Sequence, residues 1–166
     1  MEATVCQDCL YRETAYEGFV RAIPGLEKLT LVPSTDPVLA VLCGDGKDSR
    51  MSAARKLSKA AFQGRHTAYM LHPGGPLAFI SAHRTFGFME DVQFYIANRG
   101  IKHIHLCTHG ECGWWARRGL GWHQQVGVMG KVVAMLQGLK TPAGEVIDVI
   151  ATVYGEQDNP YLYKLF

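Results

Sequence analysis

Val38-Leu-Ala-Val-Leu-Cys43 is a continuous apolar run, short and β-branched at its start, and such a run suits a parallel strand buried on both faces. No other segment limits the fold as much, because a strand without a polar side needs cover above and below. Helical spacing follows at once: Met51, Ala54, Leu57, Ala61 and Phe62 share one face. His66 to Leu71 reads as a second strand, closed by Pro73-Gly74-Gly75-Pro76. Phe86 to Ala97 returns to helical spacing through Phe86, Met89, Val92, Phe94 and Ile96, with Gly100 as its stop. Lys102 to Cys107 is a third strand. Gln124 to Leu139 is a helix with Val126, Met129, Val133 and Leu136 inward, and Val146 to Tyr154 is a fourth strand. Strands alternating with helices predict βαβ units, hence an α/β fold with a mostly parallel sheet of four strands, a fifth antiparallel edge strand being compatible.

Ahead of this unit, Tyr11 to Ile23 reads as a first helix, stopped by Pro24-Gly25. The organisation predicted is a helical arm over 1–35 and one main unit over 36–166, with no internal repeat, low-complexity stretch or long linker. A chain of 166 residues suits one domain with a sizeable core. The formal charge of +2 demands neither a nucleic acid nor a membrane as partner. The basic cluster Lys47, Arg50, Arg55, Lys56 and Lys59 reads as a solvated helix face. No apolar run approaches the ~20 residues of a membrane span. Met1-Glu-Ala-Thr4 has no basic segment leading into a hydrophobic stretch, so no secretory leader is expected. Five cysteines in such a chain suggest reduced thiols in metal or redox roles, and a cytoplasmic location.

Ligands of open parallel sheets bind at the carboxyl ends of strands. Cys43 ends the first strand, and His109-Gly-Glu-Cys112-Gly113 lies just past the third. Two thiolates and one imidazole are what Zn²⁺ takes as three protein ligands, leaving a fourth position for water. The spacing His-x-x-Cys lets both side chains reach one ion from a tight turn, with Gly110 and Gly113 easing the backbone. The set predicts a zinc hydro-lyase.

Cys43, the run Asp48-Ser49-Arg50 and His109-x-x-Cys112-Gly113 together resemble the β-carbonic anhydrase family, which carries Cys-x-Asp-Ser-Arg after its first strand and His-x-x-Cys-Gly after a later one. His72-Pro-Gly-Gly75 stands where that family has a glycine-containing turn, and the resemblance spans about 36–155. It implies zinc on Cys43, His109 and Cys112, and reversible hydration of CO₂ to bicarbonate by a zinc-bound hydroxide. It further implies an Asp–Arg pair, in which Arg50 holds an aspartate that orients the hydroxide. A homodimer, often paired into a homotetramer, is the assembly it implies, with Tyr16, Phe19, Val20 and Ile23 of the arm packing on the neighbouring subunit.

Three departures accompany the resemblance. Cys43 and Asp48 are five positions apart where the family has two, so Asp45 keeps the Cys-x-Asp spacing and Asp48 keeps the Asp-Ser-Arg grouping. Either can pair with Arg50, with a slight preference for Asp48; Asp45 is then an extra ligand or a loop residue. The stretch from Cys43 to His109 is longer than the family's. Trp114 and Trp115 follow Cys112-Gly113, where small residues are usual. A bulky pair there suits a CO₂-like sulfur substrate, carbonyl sulfide or carbon disulfide, and a catalytically silent zinc protein is the third reading.

Other residues have plainer readings. Asp48 suits a helix N-cap, and Gly44-Asp45-Gly46 is ordinary turn chemistry. The Cys43–Arg50 loop lacks the Gly-Lys-Ser/Thr ending of a phosphate-binding loop. Cys6-x-x-Cys9 is incidental or weakly metal-binding, Cys107 belongs to the core, and His103 and His105 form a packed or hydrogen-bonded pair.

Overall fold

The computed structural model describes the chain over 18–43, 48–72, 74–80, 85–109, 112, 118, 121–155 and 160–166; over 48–51, 77–78 and 85–86 it describes the backbone alone. Five strands form one sheet: β1 (Val38–Cys43), β2 (His66–His72), β3 (His103–His109), β4 (Asp148–Tyr154) and β5 (Leu162–Lys164). Their spatial order is β2-β1-β3-β4-β5, with β5 alone antiparallel. The long helices among the described residues are α1 (Asp48–Ala61), α2 (Thr85–Arg99) and α3 (Trp122–Gln137). The α/β fold with a mostly parallel sheet, its antiparallel edge included, is therefore as the residue pattern predicts.

The all-apolar β1 is buried along its whole length, between β2 and β3. On one face Leu39, Val41, Ile104 and Leu106 pack with Val92, Ile96, Met129 and Leu136 of α2 and α3. On the other, Val38, Ala40, Leu42 and Cys107 pack with Ala54, Ala61 and Phe62 of and after α1. Burying each such aliphatic side chain contributes about 1.5–3 kcal/mol. Arg55, Lys56 and Lys59 lie on the exposed side of α1, as a solvated face should.

Two expectations on packing need correction. Phe94, placed inward by helical spacing, is 56% exposed, while Val92 and Ile96 of the same helix are buried. A stripe of apolar residues two apart cannot all face one core on a period of 3.6 residues. Phe19 of the short helix over 18–22 is buried in its own chain, with its ring 5.2 Å from that of Trp122. Phe19, Trp122, Val153 and Tyr163 form a third cluster, with Ile23 against it. Gly18 allows that approach, since a Cβ there would stand 2.8 Å from Trp122 Cβ. Of the arm's apolar set within the described residues, Val20 is the exposed one.

The strand order fixes where a crevice can open. From β1 the chain moves out through α1 to β2, then returns through α2 to β3 on the other side of β1. Helix α1 covers one face of the sheet, and α2 and α3 the opposite one. The connections therefore diverge at the carboxyl ends of β1 and β3, which is the switch point where open α/β sheets take their ligands.

Candidate metal centre

Cys43 is the last residue of β1 and His109 the last of β3, one strand residue earlier in the chain's course than a position just past the strand. By strand alternation, His109 shares a face with His105 and Cys107, and Cys43 with Leu39 and Val41. Their ligand atoms nevertheless approach each other across the carboxyl ends of the two neighbouring strands. Cys112, three residues beyond β3, completes the group. One ligand atom from each of Cys43, His109 and Cys112 lies within 4.8 Å of the others, and the three residues could hold a metal ion.

The donor set fits zinc on its own chemistry. Cys43 Sγ and Cys112 Sγ are 3.6 Å apart, well beyond a covalent S–S bond of about 2.05 Å. Two thiolates bound tetrahedrally at about 2.3 Å would stand about 3.8 Å apart, so the sulfurs need to move by only a few tenths of an ångström. All three residues are buried, at 0%, 3% and 2% exposure. Burying two thiols beside an imidazole gives little stability by itself; a divalent cation would turn them into a charge-compensated set.

Gly75 holds β1 in place there. It has φ of +54°, and a Cβ would meet Cys43 N at 2.9 Å, Cys43 Cα at 3.1 Å and the Cys107 carbonyl oxygen at 3.3 Å. All three atoms are backbone, so nothing can swing aside. The Gly-Gly turn after β2 was legible as a turn; its contact with the ligand-bearing strand was not, because it depends on β2 lying beside β1.

Asp48 and Arg50 form the first turn of α1 through their backbone, at the same edge of the sheet as Cys43. Asp45, Trp114, Trp115, Cys6 and Cys9 lie outside the described residues.

The remaining histidines of β3 have other partners, and His103 and His105 do not bond each other. His105 is fully buried, with Nδ1 2.6 Å from Ser58 Oγ and Nε2 2.8 Å from Thr152 Oγ1. Ser58 Oγ is 3.1 Å from His66 Nε2, and His66 Nδ1 is 3.0 Å from the Tyr69 hydroxyl. Thr152 donates to the Leu106 carbonyl oxygen at 3.4 Å. One proton assignment satisfies every link: Tyr69 donates to His66, His66 to Ser58, Ser58 to His105, His105 to Thr152, and Thr152 to the backbone. It requires both rings neutral. Burial, and then the neighbouring His66, pull His105 down to about 3. Burial, then Lys59 and Arg65, pull His66 down to about 4. Ser58 lies four residues after Ala54, on the apolar face of α1, and that position is the sequence signal for its burial.

No family model matches this chain, and no curated protein matches it in sequence. Among solved structures it is similar to a mutant form of the β-carbonic anhydrase CafD from the filamentous fungus Aspergillus fumigatus. The TM-score is 0.53 at 13% identity, over 85% of this chain and 97% of that one. At that identity the likeness is one of fold. Among the described residues, no helix is long and apolar enough to cross a membrane.

Proposed function

We propose that this chain is a zinc-dependent lyase that interconverts CO₂ and bicarbonate. The observation that carries the reading is the meeting of Cys43, His109 and Cys112 at the switch point of a β-carbonic anhydrase-like sheet. Zinc in such a site supplies Lewis-acid chemistry, making a water acidic enough to act as a nucleophile near neutral pH. The two thiolates offset the cation's charge, and the neutral imidazole leaves the set uncharged overall. β1 and β3, hydrogen-bonded to each other in register, hold two of the three ligands rigidly.

Arg50 serves in this reading as a positioning residue. Its guanidinium holds the carboxylate of Asp48, and that carboxylate accepts a hydrogen bond from the nucleophile and aims it at the carbon. Asp45 is the alternative partner, two residues after Cys43. Trp114 and Trp115, next to the ligand loop in sequence, favour a sulfur analogue of CO₂ as the second substrate reading. The working unit is a homodimer or a pair of them, acting in the cytoplasm.

Stopped-flow CO₂ hydration on protein of known zinc content tests the proposal, run from about pH 6.5 to about pH 9. The expected result is about one zinc per chain and turnover that rises with pH. Arg50→Ala should keep the zinc and lose the turnover. Full zinc without hydration of CO₂ at any of these pH values, with hydrolysis of carbonyl sulfide, would move the assignment to the sulfur substrate. A folded protein that takes up no zinc would overturn it.

A further inference from the structure

The opposite edge of the sheet carries a second chemically organised group. His103 is the first residue of β3, Asp148 the first of β4, and Ser34 lies in the segment leading to β1. His103 Nδ1 is 2.8 Å from Asp148 Oδ2, and His103 Nε2 is 2.8 Å from Ser34 Oγ. The carboxylate can only accept, so in the neutral ring Nδ1 carries the proton and Nε2 is left to accept from the Ser34 hydroxyl. Asp148 therefore selects the tautomer in which His103 can take a proton from serine, which is how a Ser-His-Asp array is built. His103 and His109 are six strand residues apart, about 20 Å, so this group is separate from the metal centre.

Surrounding groups complete the arrangement. The Asp36 backbone N–H donates to Ser34 Oγ at 3.1 Å and fixes the position of the hydroxyl oxygen beside His103. Asp36 Oδ2 is a second acceptor for the Ser34 hydroxyl, at 3.3 Å against 2.8 Å for His103 Nε2, and it lies 3.8 Å from Nε2, so it faces the positive ring that forms when His103 is protonated. Lys102, 3.9 Å from the other Asp36 oxygen and 3.1 Å from Glu145, balances part of that negative charge. Ser34 is half-buried and within reach of solvent. A cavity of about 280 Å³ reaches this group through Pro33, the residue before Ser34, and Asp148; Leu29, Val32, Val149 and Phe166 also line it, with Lys164, whereas Ser34 and His103 do not. That volume is just under the roughly 300 Å³ at which ligand pockets begin.

We propose that Ser34, His103 and Asp148 form a hydrolytic site for esters of short apolar acyl groups. Ser34 Oγ attacks the carbonyl carbon while its proton passes to His103 Nε2. The C–O bond to the alcohol breaks, and the departing alcohol takes the proton from Nε2. Water then attacks the acyl-serine, giving its proton to Nε2, which returns it to Ser34 Oγ as the carboxylic acid leaves. Ser34 and His103 are the catalytic residues; Asp148 is a positioning residue.

The test is reaction of the purified full chain with an alkyl fluorophosphonate, followed by peptide mass mapping. The expected result is a phosphonyl adduct on Ser34, formed at least about 100-fold more slowly in His103→Gln and in Asp148→Asn. Hydrolysis of p-nitrophenyl butyrate should fall with Ser34→Ala while zinc content and CO₂ hydration stay at wild-type levels. No adduct on Ser34 in the wild-type chain overturns the proposal, and this arm needs no variant to fold. An adduct whose rate is unchanged in His103→Gln also overturns it, since the hydroxyl would then react unassisted. Neither outcome depends on metal, so failure here leaves the metal centre untouched, and an absence of zinc leaves this site untouched.

Discussion

His105 and His109 stand on one strand and one face, four residues apart, and the fold uses them in opposite ways. His105 is enclosed beneath α1, with both ring nitrogens bonded to hydroxyls, and its ring is 5.0 Å from that of Phe62. His109 reaches the rim, where the sheet ends and two cysteines arrive. The same side chain is thus a neutral core element in one place and, in the proposed reading, a metal donor in the other. What differs is the chemistry that meets the ring: two hydroxyls satisfy a neutral imidazole completely, whereas two thiols beside an imidazole make a donor set that could hold a soft cation.

The comparison is tested most severely by removing each ring in turn. His109→Ala should lower zinc affinity by more than about 100-fold, beyond the loss of an outer-shell partner, and abolish CO₂ hydration. Titration with a chelator and stopped-flow read these out. His105→Ala should do the reverse, keeping about one zinc per chain while costing about 3–5 kcal/mol in denaturant unfolding. That cost combines a cavity with the stranded hydroxyls of Ser58 and Thr152. If His105→Ala lost its metal without losing stability, the division between the two rings would be wrong.

Gly75→Ala should fall between these two effects, costing about 2–3 kcal/mol and weakening zinc binding together. The new methyl strains a positive φ and presses on the Cys43 backbone, and the same denaturation and chelator assays measure both.

Acid should act on His105 before it acts through any contact seen at the surface. Its folded value near 3 lies below the ordinary 6.5, so the unfolded chain binds the extra proton first. The associated stability is fully present above about pH 6.5. It is lost as pH falls from there towards 3, at about 1.4 kcal/mol per pH unit for this ring. His66 adds in the same direction from 6.5 towards about 4, less strongly because it is partly exposed. Urea midpoints measured from pH 7 to pH 4.5 should show the decline, and Ser58→Ala should make the chain less stable at pH 7 with a shallower slope. Last and smallest, Lys102→Ala at the exposed amino edge should leave the melting temperature unchanged, since solvent screens its pairs with Glu145 and Asp36.

Much of the architecture was legible in the residues alone. An all-apolar six-residue strand followed by helical spacing, repeated along the chain, restricts the fold to a covered parallel sheet. The strand Val38–Cys43 was read to the residue, and β3 and α3 to within two. That Cys43, His109 and Cys112 would come together was legible too, because all three lie at or just beyond the carboxyl ends of neighbouring strands. Phe94 was misplaced, since helical period separates residues two apart and proximity in sequence hides that. Phe19 was assigned to a neighbour; its apolar face was evident but not which surface covers it.

Local sequence thus determined the periods, the element types and the chemical identity of each donor, because those depend on residues close along the chain. Only the tertiary structure decided which histidine of β3 meets thiols, which meets Ser58 and Thr152, and which meets Ser34 and Asp148. Apart from Cys112, three residues on from His109, those partners come from segments between about 40 and 70 residues away in the chain. They converge through strand order and register, and no period within a single segment encodes either one.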